Sequence, residues 1–197
     1  MKTSEIMEMQ ARIRSAGFYR GEIDGLWGPR SNTGLRKYLV SLMPTPNPWP
    51  TQARVADFFG RPGDESNLVA FDFPYPTFYG GKRVKTGRCH RLVRDSLLRV
   101  LTEIGFMWGK ETGIMEEAED YGGIYNDRNM RSGASKSMHA WGIAIDQDAD
   151  DNGNSTPWPQ KADMPLAILE AFAREGWTSA AAWWGRDAMH HQATRPF

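Results

Sequence analysis

Two short stretches far apart in the chain constrain what it can fold into more than any other feature. The first is Ser137-Met138-His139-Ala140-Trp141-Gly142-Ile143-Ala144-Ile145-Asp146, and the second is Asp187-Ala188-Met189-His190. Together they offer two imidazoles and a carboxylate, with a further carboxylate alongside. That is the donor set of a catalytic zinc site, which takes three protein ligands and leaves one position open for water. His139 and Asp146 are seven positions apart. Gly142 to Asp148 alternates apolar and polar residues like a strand, so a turn at Gly142 lets both side chains reach one ion. The third ligand comes from His190 or His191. Successive strand residues point to opposite faces, so only one of these two can face the site.

At 197 residues the chain suits one domain, or one domain and a small module, and can bury a core without crosslinks. Lys+Arg and Asp+Glu both number 24, for a formal net charge of zero. That argues against a nucleic-acid binder, which needs a basic face. The single cysteine, Cys89, rules out an intrachain disulfide framework. Residues 1–10 lack the apolar core of a secretory signal peptide. No apolar run approaches the ~20 residues that cross a bilayer. The expectation is a monomer made in the cytoplasm, with no membrane insertion.

Pro44-Thr45-Pro46-Asn47-Pro48-Trp49-Pro50 places four prolines in seven positions. Such a segment excludes a helix and favours an extended, semi-stiff spacer. It divides the chain into residues 1–43, a linker at 44–50, and residues 51–197. In the first part Ile6, Met9, Ile13 and Ala16 recur at helical spacing, and Gly17 stops that helix. A turn-rich stretch follows. Ser31 then reads as the N-cap of a helix with Leu35, Tyr38, Leu39 and Leu42 inward. In the second part Leu68 to Phe73 reads as a strand ended by Pro74 and Pro76. His90 to Ile104 reads as an amphipathic helix with Leu92, Ser96, Leu97, Val100, Leu101 and Ile104 on its apolar side. Met164 to Glu175 reads as a helix ended by Gly176. Ala181 to Trp184 and Met189 to Gln192 read as short strands around a turn. This mixed order predicts an α+β fold, with a small antiparallel sheet and helices carrying the zinc site, preceded by a small helical module.

The Ser-x-His-x-x-Gly-x-Ala-x-Asp pattern of residues 137–146 resembles the signature of the zinc D-Ala-D-Ala carboxypeptidase and L-alanyl-D-glutamate endopeptidase family. Those enzymes cut the peptide stems of bacterial peptidoglycan. The resemblance implies that His139, Asp146 and His190 hold the zinc, with His190 matching the family's Asp-x-x-His ending. It implies that Asp187 is the general acid–base and that Ser137 supports the ligands from behind. Arg128, in Tyr125-Asn126-Asp127-Arg128, is similar to the family arginine that steadies an oxyanion or a substrate carboxylate; Arg131 is its competitor. Gly17-Phe18-Tyr19-Arg20-Gly21-Glu22-Ile23-Asp24-Gly25-Leu26-Trp27-Gly28-Pro29 resembles a peptidoglycan-binding three-helix module. That resemblance implies wall binding through Tyr19, Asp24 and Trp27. Turn chemistry by itself would also select Asp and Gly here.

Joined, the two resemblances imply a phage-type endolysin: a wall anchor and a zinc peptidase that cuts the L-Ala-D-Glu bond after release to the wall. The alternatives are a D-Ala-D-Ala carboxypeptidase or dipeptidase, and a non-catalytic wall-binding protein. Three further features are read as structural. Cys89 and His90 are sequence neighbours on a helix start and so diverge, which does not make a nucleophile–base pair. Asp148, Asp150 and Asn152 match the first half of a calcium loop. Pro159 stands where the closing glutamate belongs, which favours an acidic solvated turn over an irregular calcium site. Trp141, Trp183 and Trp184 are cleft candidates, although core packing is the commoner fate of tryptophan.

Overall fold

The computed structural model describes residues 1–107, 118–131 and 133–197. Among these residues it is α+β, with six α-helices and two small antiparallel sheets. Helix α1 (Thr3–Ser15) buries Ile6, Met9, Gln10 and Ile13, the stripe of an amphipathic helix. Gly17, at φ 86°, ends it. Gln10 then organises the loop that follows. Its Oε1 accepts the Asp24 and Gly25 N–H groups at 3.1 and 2.9 Å, and its Nε2 donates to Asp24 Oδ1 at 2.9 Å and to the Leu26 carbonyl at 3.0 Å. Helix α2 (Pro29–Leu42) starts earlier than the Ser31 cap expected from the sequence. Gly28 is its N-cap and Pro29 its first residue, a position where the missing N–H has no partner to lose. Residues 1–43 thus contribute two helices and a pinned loop, where the resemblance implies three helices.

The proline-rich segment follows, and α1 and α2 dock against what lies beyond it. Helix α2 packs on α5 (Leu166–Arg174) and α6 (Ala180–Trp184). Arg12 donates to Glu170 at 2.5 Å and the Tyr38 hydroxyl donates to the same fully buried carboxylate at 2.8 Å. The Trp27 ring meets Trp158 edge-on, with centroids 5.5 Å apart. One apolar core runs through both regions. Glu170 is fully buried while the Arg12 side chain is half-exposed, and solvent screens such a pair, so the shared core carries the tie between the regions together with these bonds.

Helix α3 (Val55–Phe59) leads into a long hairpin, β1 (Leu68–Tyr79) and β2 (Lys82–His90). Strand β1 continues through Pro74 and Pro76, where the sequence suggested an end. The register shifts between Asp72 and Thr77, and such an irregularity is where a strand tolerates residues that cannot donate to the ladder. Cys89 and His90 therefore lie at the end of a strand, and helix α4 (Arg94–Met107) begins after them. It buries Ser96, Leu97, Val100, Leu101 and Ile104, while Leu92 falls outside the helix and is exposed. The second sheet has the order β3-β4-β6-β5, from β3 (Tyr121–Gly123), β4 (Ala144–Gln147), β5 (Thr178–Ser179) and β6 (His190–Gln192). Residues 181–184, expected as a strand, belong to α6; its alanine run favours a helix. Among the described residues no helix is long and apolar enough to cross a membrane.

Burial pushes the Cys89 thiol up to about 12, so it is no thiolate nucleophile at neutral pH. His90 is equally buried. Its Nε2–H donates to the Phe59 carbonyl at 3.2 Å and its Nδ1 accepts the Leu92 N–H at 3.2 Å. Burial lowers its pKa because the neutral ring is the form that fits. A lowered folded-state value means stability that is whole above the unfolded pKa of about 6.5 and is lost as pH falls through the folded value. His90→Gln is expected to be less stable than the parent at pH 8, with the gap narrowing by pH 5. Urea midpoints at the two pH values check this, and a gap that widens in acid refutes it.

Candidate metal centre

Strands β4 and β6 build the site by register. Asp146 pairs with His190 and Ile145 with His191, so Asp146 and His190 share one face of the sheet. His139 arrives from a 3₁₀ turn at Met138–Trp141, whose N-cap is Ser137; the Ser137 Oγ accepts the His139 N–H at 3.4 Å. Gly142 closes that turn at φ 68°. The left-handed conformation favours glycine, and a Cβ there would stand 3.1 Å from the His90 backbone nitrogen, a tight fit.

The three side chains converge. His139 Nε2 lies 3.2 Å from Asp146 Oδ1 and 3.1 Å from His190 Nδ1, and His190 Nδ1 lies 2.9 Å from Asp146 Oδ1. Tetrahedral ligands at zinc distances are about 3.3 Å from one another, close to this spacing. The outer nitrogens fix the tautomers. His139 Nδ1 donates to the Ile124 carbonyl at 2.8 Å, and His190 Nε2 donates to Gln192 Oε1 at 3.0 Å. That leaves two nitrogen lone pairs and a carboxylate oxygen aimed at one point. Such a cluster needs a cation, and the outer bonds are those that orient metal-binding imidazoles. Among the described residues this is the group of His, Cys, Asp and Glu placed to hold a metal ion.

Burial alone would raise the Asp146 carboxyl, but the two imidazoles outweigh it and hold the group below the usual carboxylate range. Burial alone would lower the His190 imidazole, and Asp146 reverses that as well. Asp187 is different. Burial, the largest effect, raises its pKa, and the Asp146 charge adds to that while His190 opposes it. Among the described residues its buried Oδ1 has no hydrogen-bond partner. The residue sits at φ 57°, a conformation that Asp tolerates better than most. Its carbonyl accepts the His190 N–H at 2.9 Å, which ties it to the ligand strand.

A cavity of about 330 Å³ opens here, lined by Asp146, Asp187, His190 and Trp184 with Arg128, Arg131 and Arg186 among its walls. A second, of about 350 Å³, is lined by Tyr79, Tyr121, Tyr125, His139, Asp146 and Arg128. The two share Asp146 and Arg128. Arg128 lines both cavities, and Arg131 only the first. Ser137 reaches the site through the turn it caps. The Trp184 ring stacks on His190, with centroids 5.6 Å apart and planes 23° apart. Trp141 instead donates to the Gly60 carbonyl at 2.8 Å, and Trp183 packs against the core. His191 lies on the far side of the sheet, stacked flat on Phe172 at 4.0 Å; burial takes its imidazole down to about 3. Sequence reasoning overlooked the Ile124 carbonyl and Gln192. Gln192 had a signal, since it lies two residues after His190 on the same strand face; the carbonyl had none.

The remaining sequence candidates lie elsewhere. Tyr19 is buried and its hydroxyl donates to the Glu22 carbonyl at 2.9 Å. Asp24 is exposed and holds its own turn, accepting the Leu26 N–H at 2.9 Å. Trp27 donates to Asn32 Oδ1 at 2.7 Å and rests on Trp158. In the acidic loop, Asn152 is fully buried. It donates to the carboxylates of Asp148 and Asp163 at 2.6 and 3.0 Å and accepts the Asp163 and Met164 N–H groups. Asn152 thus acts as the loop's hydrogen-bonding hub.

An α+β fold in which a sheet and the turn leading into it bring two imidazoles and a carboxylate together, with the Asp187 carboxylate lining the same cleft, defines a candidate metallohydrolase. A family model described as D-alanyl-D-alanine carboxypeptidase matches residues 131–193, the segment that holds all three candidate ligands and Asp187. The match, with the ligand geometry, supports a metallopeptidase. No curated protein and no solved structure matches the chain.

Proposed function

We propose that this protein is a zinc peptidase that hydrolyses peptidoglycan stem peptides, cutting internally at the L-Ala-D-Glu bond. The observation that carries the reading is the convergence of His139, Asp146 and His190 in a cleft that Asp187 also lines. A zinc ion held by those three residues supplies a Lewis acid that activates water and polarises the scissile carbonyl. Asp187 takes the proton from the attacking water and delivers it to the leaving amine nitrogen. Arg128, at the junction of the two cavities, faces the charge that develops on the carbonyl oxygen. The arginines around the first cavity suit a substrate with free carboxylates, as a D-Glu residue has.

Two cavities that share Asp146 and Arg128 support an internal cut, since they leave room for chain beyond a single terminal residue. The description of the matching family favours the alternative, a D-Ala-D-Ala carboxypeptidase. Incubation with purified sacculi separates them. New N-terminal D-Glu with clearing of the suspension supports the endopeptidase; free D-Ala with unchanged turbidity sinks it and promotes the carboxypeptidase. The phage-type endolysin reading adds wall binding by residues 1–43. Two cavities flank the 17–30 loop and share Tyr19, Arg20, Gly21, Pro29 and Arg30, which suits a glycan or peptide chain. Co-sedimentation of the full chain with sacculi tests that part.

A further inference from the structure

We infer that the N-terminal helices complete the metal centre, and that Arg36 on α2 is a positioning residue for it. The inference rests on the metal-site reading above. The segment from Ala182 to His190 carries Trp184, Asp187 and His190, and two separate contacts from residues 1–43 hold its first turn. In one, Arg36 donates through Nε to the Ala182 carbonyl and through Nη2 to the Trp183 carbonyl, both at 2.8 Å. These are last-turn carbonyls of α6, which have no acceptor role left within the helix. A guanidinium there also complements the helix C-terminus. In the other contact, Trp27 packs on Trp158, and the Trp158 N–H donates to the Gly185 carbonyl at 3.0 Å.

The turn so held sets what comes next. Gly185 caps α6 in the left-handed region at φ 66°, Asp187 sits there too at φ 57°, and Trp184 lies against the His190 ring. A left-handed non-glycine residue persists where its surroundings fix it. Releasing Arg36 frees α6 to shift, which moves the ring that backs His190 and the turn that aims Asp187. The N-terminal helices are then part of the site's frame in addition to any wall anchoring.

Arg36 is exposed, so Arg36→Ala leaves the core intact. Chelator competition on the apo protein should show Arg36→Ala binding zinc about 3–10-fold more weakly than the parent, below the 10–100-fold of a direct ligand partner. Arg36→Lys, which can still reach a carbonyl, should recover part of that. Arg12→Ala is the control. It strikes the same interface through Glu170 on α5, and should lower the melting temperature without changing zinc affinity. If Arg36→Ala binds zinc as the parent does, or if Arg12→Ala weakens zinc in proportion to its loss of melting temperature, Arg36 is only a structural contact and the inference is overturned. A parent protein that binds no zinc at all would instead overturn the metal-site reading.

Discussion

Replacing His190 by alanine is expected to remove metal binding, and replacing its neighbour His191 is expected to leave it. The two residues are adjacent in sequence and on opposite faces of β6. His190 presents Nδ1 to Asp146 at 2.9 Å, and losing it takes away one of three converging donors. Affinity should fall by more than the 10–100-fold typical of removing an outer hydrogen-bond partner. His191 is fully buried against Phe172, and its Nδ1 shares a 2.7 Å hydrogen bond with Ser179 Oγ. Its loss opens a cavity worth about 2–4 kcal/mol, or roughly 5–15 °C of melting temperature for a chain of this size. Elemental analysis and thermal melts of the two variants test the pair together. Zinc loss from His191→Ala with retention in His190→Ala would reverse the assignment of faces.

The second large effect is expected at Asp187. Asp187→Asn should keep the fold and the metal while activity on soluble muropeptides falls on the order of 10²-fold or more, the usual weight of a general acid–base. Asparagine is the informative substitution because it accepts φ 57° as readily as aspartate does, whereas alanine would add backbone strain. The melting temperature should hold or rise, since Asp187 has a buried oxygen without a partner and burial disfavours its charge. An active, metal-loaded Asp187→Asn enzyme would remove Asp187 from the proposed reaction.

The sequence by itself determined the helices with clear periodicity and the candidate donor set. Ile6, Met9 and Ile13 on α1, Leu97, Val100, Leu101 and Ile104 on α4, and the α5 run all lie inside, because an apolar stripe at helical spacing has one stable solution. His139 and Asp146 stood out through the family resemblance, since their spacing alone is a weak signal, and strand alternation said that only one of His190 and His191 could join them. For that place the resemblance implied His190; the tertiary structure supplied the register with β4 that sets it on the face of Asp146. It also carried β1 through two prolines, since an irregular ladder relaxes the local rule, and made Ala180–Trp184 a helix where a short apolar run is ambiguous. The proline-rich segment was legible, but the docking of α1 and α2 beyond it was not. That docking rests on Glu170, Trp158 and two carbonyl oxygens of α6, groups more than a hundred residues away from Arg12, Trp27 and Arg36, and only folding brings them together.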